Sequence, residues 1–158
     1  MKIFLIILSF LIITALILLF ALAHQAQDKQ AQGLNNGRLS PCSTTPNCIC
    51  SENIDDVDHY IAPLSYTEYS NTELRYLLVE IIQSMGGVLS KVDEIYLSAT
   101  FTSSIFHFVD DLEIRIDETK HLIHIRSASR VGHSDLGMNK KRVELLKQLY
   151  KEKIGEHD

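Results

Sequence analysis

A run of 21 residues from Ile3 to Ala23, broken only by Ser9 and Thr14 and carrying no charge, limits what the N-terminus can be. As a helix rising about 1.5 Å per residue it reaches roughly 31 Å, the thickness of a bilayer's hydrocarbon core. A cleaved secretory signal is the competing reading, because Ala21-Leu22-Ala23 offers a small-x-small site. The apolar stretch of such a signal is usually ~7–15 residues, shorter than this one. Lys2 and the α-amino group are the only positive charges ahead of the run. That bias puts the N-terminus in the cytoplasm and everything after Ala23 outside it. Anchor or cleaved signal, the rest of the chain is expected to be exported.

The 46% hydrophobic content of the 158 residues is therefore two numbers. Twenty of the first 23 residues are apolar, which leaves 53 apolar residues among the other 135, enough for a soluble core. All 20 acidic residues but only 14 of the 15 basic ones lie beyond Ala23, so this part carries −6. A nucleic-acid partner, which needs a basic face, is excluded by that balance. The chain divides into a 1–23 anchor, a polar linker over 24–40 and a domain over 41–155. The linker is rich in Gln, Ala, Asn and Gly and shows no hydrophobic period, so it reads as a tether.

Three cysteines open the domain. Cys42 and Cys48 can close a small loop by a disulfide in an oxidising compartment, with Cys50 left over. Half of a zinc site is the alternative, but its nearest partners, His121 and His124, point to opposite faces of a strand. A redox pair would need Cys-x-x-Cys spacing. Neither a metal nor a cofactor is expected.

Tyr60–Tyr66 reads as a first extended segment, irregular at Pro63. Asn71 or Thr72 is expected to cap a helix with Leu74, Leu77, Leu78, Ile81, Ile82 and Met85 along one face, ended by Gly86-Gly87. Val88–Val92 and Tyr96–Ser103 follow as strands. Leu112–Ile116 and Leu122–Ser129 form the clearest hairpin, and aligning their apolar faces pairs Ile116 with Ile123 and Ile114 with Ile125. The same register sets Glu113 opposite Arg126, Arg115 opposite His124, Asp110 opposite Ser129 and Asp111 opposite Ala128. A last helix is expected from about Leu136 to Lys153. The fold class is α+β, a mainly antiparallel sheet with two helices packed on it, behind a transmembrane helix.

Two polar runs, Phe106–Asp111 and Arg126–Asn139, break both periods and meet at one end of the hairpin. Four stretches, Pro41-Cys42 with Pro46-Asn47-Cys48, Phe108–Asp111, Arg126–Gly132 and Ser134–Arg142, resemble in order the motifs of domain of unknown function family 1499, over about residues 41–153. The resemblance supports the domain boundaries and implies no activity.

Asp110, Asp111, Arg126, Ser127, Ser129, Arg130, Asp135 and Asn139 thus form the candidate cluster. Arg126 and Arg130 could supply forked donors to a small anionic or hydroxylated ligand, with Ser127, Ser129 and Asn139 adding hydrogen bonds. Alternatively, the cluster is an Asp–Arg network fixing the hairpin to the last helix, with Arg130 on Asp110 or Asp111. No nucleophile–base–orienter set can be assembled, so the leading expectation is a membrane-anchored extracytoplasmic accessory or binding domain. It would meet the bilayer through residues 3–23 and a protein or small ligand elsewhere. An envelope enzyme using Asp110, Asp111, Arg126 and Arg130 is the alternative.

Overall fold

Strand alternation in the central hairpin organises the domain, because it sends one set of side chains to each face of the sheet. A computed structural model of the chain describes residues 1–67 and 69–155. Helix α1 (Lys2–Gln27) leads into two short strands, β1 (Leu34–Asn35) and β2 (Arg38–Leu39). Then come β3 (Cys48–Cys50), β4 (Leu64–Ser65), α2 (Asn71–Ser84), β5 (Val88–Val92), β6 (Tyr96–Thr102), β7 (Val109–Asp117), β8 (Leu122–Ser129) and α3 (Met138–Ile154). The main sheet is antiparallel, in the order β3-β8-β7-β6-β5, and β4 shares the outer edge of β8 with β3. The β7–β8 register is the one the apolar alignment predicts, from Asp110↔Ser129 to Ile116↔Ile123.

One face of this sheet is apolar. Leu97 and Ala99 of β6, Leu112, Ile114 and Ile116 of β7, and Ile123 and Ile125 of β8 lie under Leu74, Leu78, Ile81 and Ile82 of α2 and Val143, Leu146 and Tyr150 of α3. The N-cap of α2 is Ser70, one residue before the expected position. Its hydroxyl accepts the Glu73 N–H, while the Glu73 carboxylate takes the Ser70 N–H, a reciprocal arrangement that Asn71 cannot make from inside the helix. Gly87 follows α2 without a side chain for a steric reason. A Cβ there would stand 2.7 Å from both Ile82 Cγ2 and Phe101 Cζ.

Three segments differ from the sequence reading. The extended segment Tyr60–Tyr66 is two separate pairings, a parallel bridge from Tyr60 to Cys50 and the antiparallel β4. Pro63, which has no N–H to offer a ladder, stands between them. Helix α3 starts at Met138 because Leu136 (φ +56°) and Gly137 (φ +77°) are left-handed. Residues 24–40 carry the end of α1 and the β1–β2 hairpin, whose Asn36-Gly37 turn has positive φ at both positions, as a type I′ turn requires. Leu39 packs into a small cluster with Cys50 and Tyr96 on the second face of the sheet.

Helix α1 is long and apolar enough to cross a membrane, a length and composition that an anchor and a signal sequence share. Cys42 and Cys48 are bonded, and Cys50 is a free, buried thiol.

Candidate functional site

The candidate cluster is divided by the pleat of β7 and β8 into two networks on opposite faces. Asp110 projects toward the helices and Asp111 away from them, so the two adjacent carboxylates have separate partners.

On the helix face Asp110 pairs with Arg142 (Nη2 to Oδ2, 2.7 Å). Arg142 Nη1 also reaches the Ser127 hydroxyl at 3.0 Å and the Asn139 carbonyl, and its guanidinium lies 4.6 Å from the Phe101 ring centre. The Ser127 hydroxyl donates to Asn139 Oδ1 at 2.6 Å. The Asn139 amide donates to the Asn47 carbonyl at 2.9 Å and to the Ser129 hydroxyl at 3.1 Å. Asp135 caps α3: its carboxylate accepts the N–H of Gly137 at 3.0 Å and of Asn139 at 2.6 Å. Ser127, Ser129 and Asn139 therefore tie β8 and α3 to Asn47, just before β3, while Asp135 fixes the first turn of α3.

On the other face lies a ladder of charges. Arg130 grips Asp111 with two parallel bonds of 2.9 and 2.7 Å, and its Nη1 donates to the Ala26 carbonyl at 3.2 Å. Arg126 donates to Glu113 at 2.7 Å, and both side chains are almost wholly buried, 4% and 0% exposed. The other Glu113 oxygen takes the Tyr96 hydroxyl and the Gly33 N–H, each at 2.7 Å. Glu52 bridges Arg115 (2.5 Å) and Arg38 (2.6 Å) and also accepts the Leu39 N–H. Asp117 takes an Arg115 bond at 3.3 Å and the Thr119 hydroxyl at 2.7 Å.

Burial raises the Tyr96 hydroxyl, and the adjacent Glu113 carboxylate adds to the effect. Burial also pushes Glu52 up, but the bonds from Arg115, Arg38 and Leu39 outweigh it and hold the carboxyl below its usual range. The Thr119 hydroxyl leads in holding Asp117 down to about 2. Burial lowers His124 and raises the Cys50 thiol.

Residues 26–39 and Glu52 cover this charged face, while β3 between them lies in the sheet itself. The expected Arg130–aspartate contact is present, and its partner is Asp111. Arg126, a donor to a ligand in one reading and a member of a charge network in the other, is bonded to Glu113, the residue the hairpin register sets opposite it. Its Nε has no hydrogen-bond partner among the described residues. Sequence reasoning missed Arg142, Glu52 and Asn47. Arg142 was findable, because it stands three residues after Asn139 on the same helix face. Glu52 gave no signal: its partners are 14 and 63 residues away. Among the described residues no group of three or more His, Cys, Asp or Glu is placed to hold a metal ion.

The model of the family described as "Protein of unknown function (DUF1499)" matches residues 38–149, and the chain belongs to that family. No curated protein matches the chain.

Proposed function

We propose that the protein is a membrane-anchored accessory domain outside the cytoplasm that works by binding rather than by catalysis. The observation that carries this reading is the pairing of the cluster's charges with one another. Asp111 is 6% exposed and doubly bonded to Arg130, Glu113 is enclosed with Arg126, and Asp110 is held by Arg142. A catalytic acid, base or anion clamp needs groups open to substrate, and these are closed. The Cys42–Cys48 bond supports the exported setting, since such bonds persist in oxidising compartments. Lys2, ahead of an uncharged span, supports the orientation.

Two experiments test the proposal. Full-length protein should stay with membranes through alkaline carbonate, and protease added outside intact cells or spheroplasts should digest the domain. Recovery in the soluble fraction, or a mature N-terminus at His24, would sink the anchor. Arg130→Ala should lower stability in chemical denaturation by roughly 3–5 kcal/mol, the cost of stranding a buried carboxylate. Near-native stability with loss of an envelope phenotype would instead favour the ligand-site alternative.

A further inference from the structure

The end of the domain nearest α1 displays apolar side chains that the fold does not use. Ile105 is 72% exposed, Leu136 is 88% exposed and Met138 is 51% exposed. Ile105 lies in the loop joining β6 to β7, Leu136 lies in the loop joining β8 to α3, and Met138 opens α3. Between them runs a groove of about 400 Å³ lined mainly by apolar groups, among them Phe106, Phe108, Leu136 and Met138. Asp110 and Asp135, which also line it, are bonded to Arg142 and to the N-terminal N–H groups of α3. Each loop contains a non-glycine residue in the left-handed region, His107 at φ +61° and Leu136 at φ +56°. Such backbone is costly and persists where surrounding structure holds it, so the outward aim of Leu136 is built in.

Continuity with α1 indicates what meets this surface. The Phe106 ring packs edge-on against Phe20 with centroids 5.5 Å apart, and Phe108 stands behind it at 6.1 Å. Phe20 lies three residues inside the end of the apolar run at Ala23, about 4.5 Å along the helix axis. The Arg130 bond to the Ala26 carbonyl and the buried Ala23 and Ala26 fix the helix end to the domain. A helix that spans a bilayer through residues 3–23 therefore brings Phe106 to the edge of the hydrocarbon. The loop beside it must then enter the interface, where aromatic and aliphatic side chains are favoured.

We propose that this surface is a second membrane contact: the Ile105–Phe108 loop and the Leu136–Met138 turn seat in the leaflet around α1, and lipid acyl chain fills the groove. The inference rests on the anchored reading above and goes beyond it, because it assigns the bilayer to the folded domain as well as to the helix.

The sequence contains no Trp, so single-Trp variants report cleanly. Full-length Ile105→Trp, Leu136→Trp, Phe10→Trp and Tyr76→Trp would be reconstituted in phosphatidylcholine vesicles, with and without bromine near the headgroup end of the acyl chains. Iodide serves as the aqueous quencher. Phe10→Trp reports on the span, and Tyr76→Trp reports on an exposed position of α2 on the folded domain. Seating requires that both Ile105→Trp and Leu136→Trp emit to the blue of Tyr76→Trp and lose most intensity in brominated lipid. They should also resist iodide several-fold better. Equal iodide quenching at all three positions would overturn the proposal. Protection from iodide without quenching by brominated lipid would overturn it too, since protein, such as a second copy of the chain, would then cover the groove. Lipid quenching of Phe10→Trp with none at Ile105→Trp or Leu136→Trp rejects the seating alone. No lipid quenching even of Phe10→Trp rejects the anchor and the seating together. Retained circular dichroism and an intact Cys42–Cys48 bond establish that each variant is folded.

Discussion

The two faces of the central sheet are buried by different means. The helix face is closed by apolar side chains of α2 and α3 on Leu112, Ile114, Ile116, Ile123 and Ile125. The opposite face is closed by residues 26–39 and Glu52 over Asp111, Glu113, Arg115 and Arg126, joined by directed bonds. Burial on the first face is non-directional and scales with area, about 25 cal/mol per Å². Burial on the second is conditional, because each charge must meet its partner or cost more than it contributes. A strand can thus carry a core on both sides with only half its residues hydrophobic.

Single substitutions should separate these two modes. Glu113→Ala removes the acceptor for Arg126, Tyr96 and the Gly33 N–H, so its expected cost is the larger, roughly 3–5 kcal/mol in chemical denaturation. The double change Glu113→Leu with Arg126→Met should recover the share of that loss due to the stranded Arg126 charge, leaving the smaller cost of the unpaired Tyr96 hydroxyl and Gly33 N–H. A double variant as unstable as the single one would show that the face depends on something other than charge pairing. On the apolar face, Leu78→Ala should cost roughly 2–5 kcal/mol by leaving a cavity. No polar replacement nearby should recover it.

Acid should distinguish the faces with a smaller effect. Asp117, held down to about 2, and Glu52, also lowered, bind protons more readily unfolded than folded. Their contribution is complete above the unfolded range near pH 4 and is lost as pH falls toward about 2. Buried His124, lowered in the fold, removes a little stability earlier, as pH drops below its unfolded value of about 6.5. His59, raised by its bond to Asp56, acts with the opposite sign over the same range, so denaturation midpoints measured from pH 7 to 2 should change little near pH 6 and fall steeply below 4. Asp117→Asn should flatten the lower limb, and an unchanged limb would remove Asp117 from this account.

The helix face was readable in the sequence because its rule is periodic. Isoleucines two apart in β7 and β8 fixed the register, and the Leu74–Ile82 stripe fixed the side of α2 that packs. The second face was not readable for the same reason. Asp111, Glu113, Arg115 and Asp117 alternate with apolar residues as a solvated strand face does, and their covering partners, Gly33, Glu52 and Ala26, are distant in the chain. Asn36-Gly37 was a local hairpin signal within a stretch whose composition read as tether. The candidate cluster was legible as a set of residues and as a place at the hairpin end. Its division into two networks follows from alternation already implied at Asp110 and Asp111, while Arg142 needed the helix phase of α3 as well.

The bond from Lys29 to the Arg130 carbonyl, together with that from Arg130 to Ala26, joins the root of the domain to its last strand. Seventeen free residues over 24–40 could have paid out roughly 60 Å of line between bilayer and domain. Clasped in this way, they leave almost no slack. In the anchored form proposed here, the domain is a fixed fitting rather than a buoy: it cannot sweep the space beyond the membrane in search of a partner. Whatever it binds must arrive at the lipid surface, and a pull on the domain passes directly to α1.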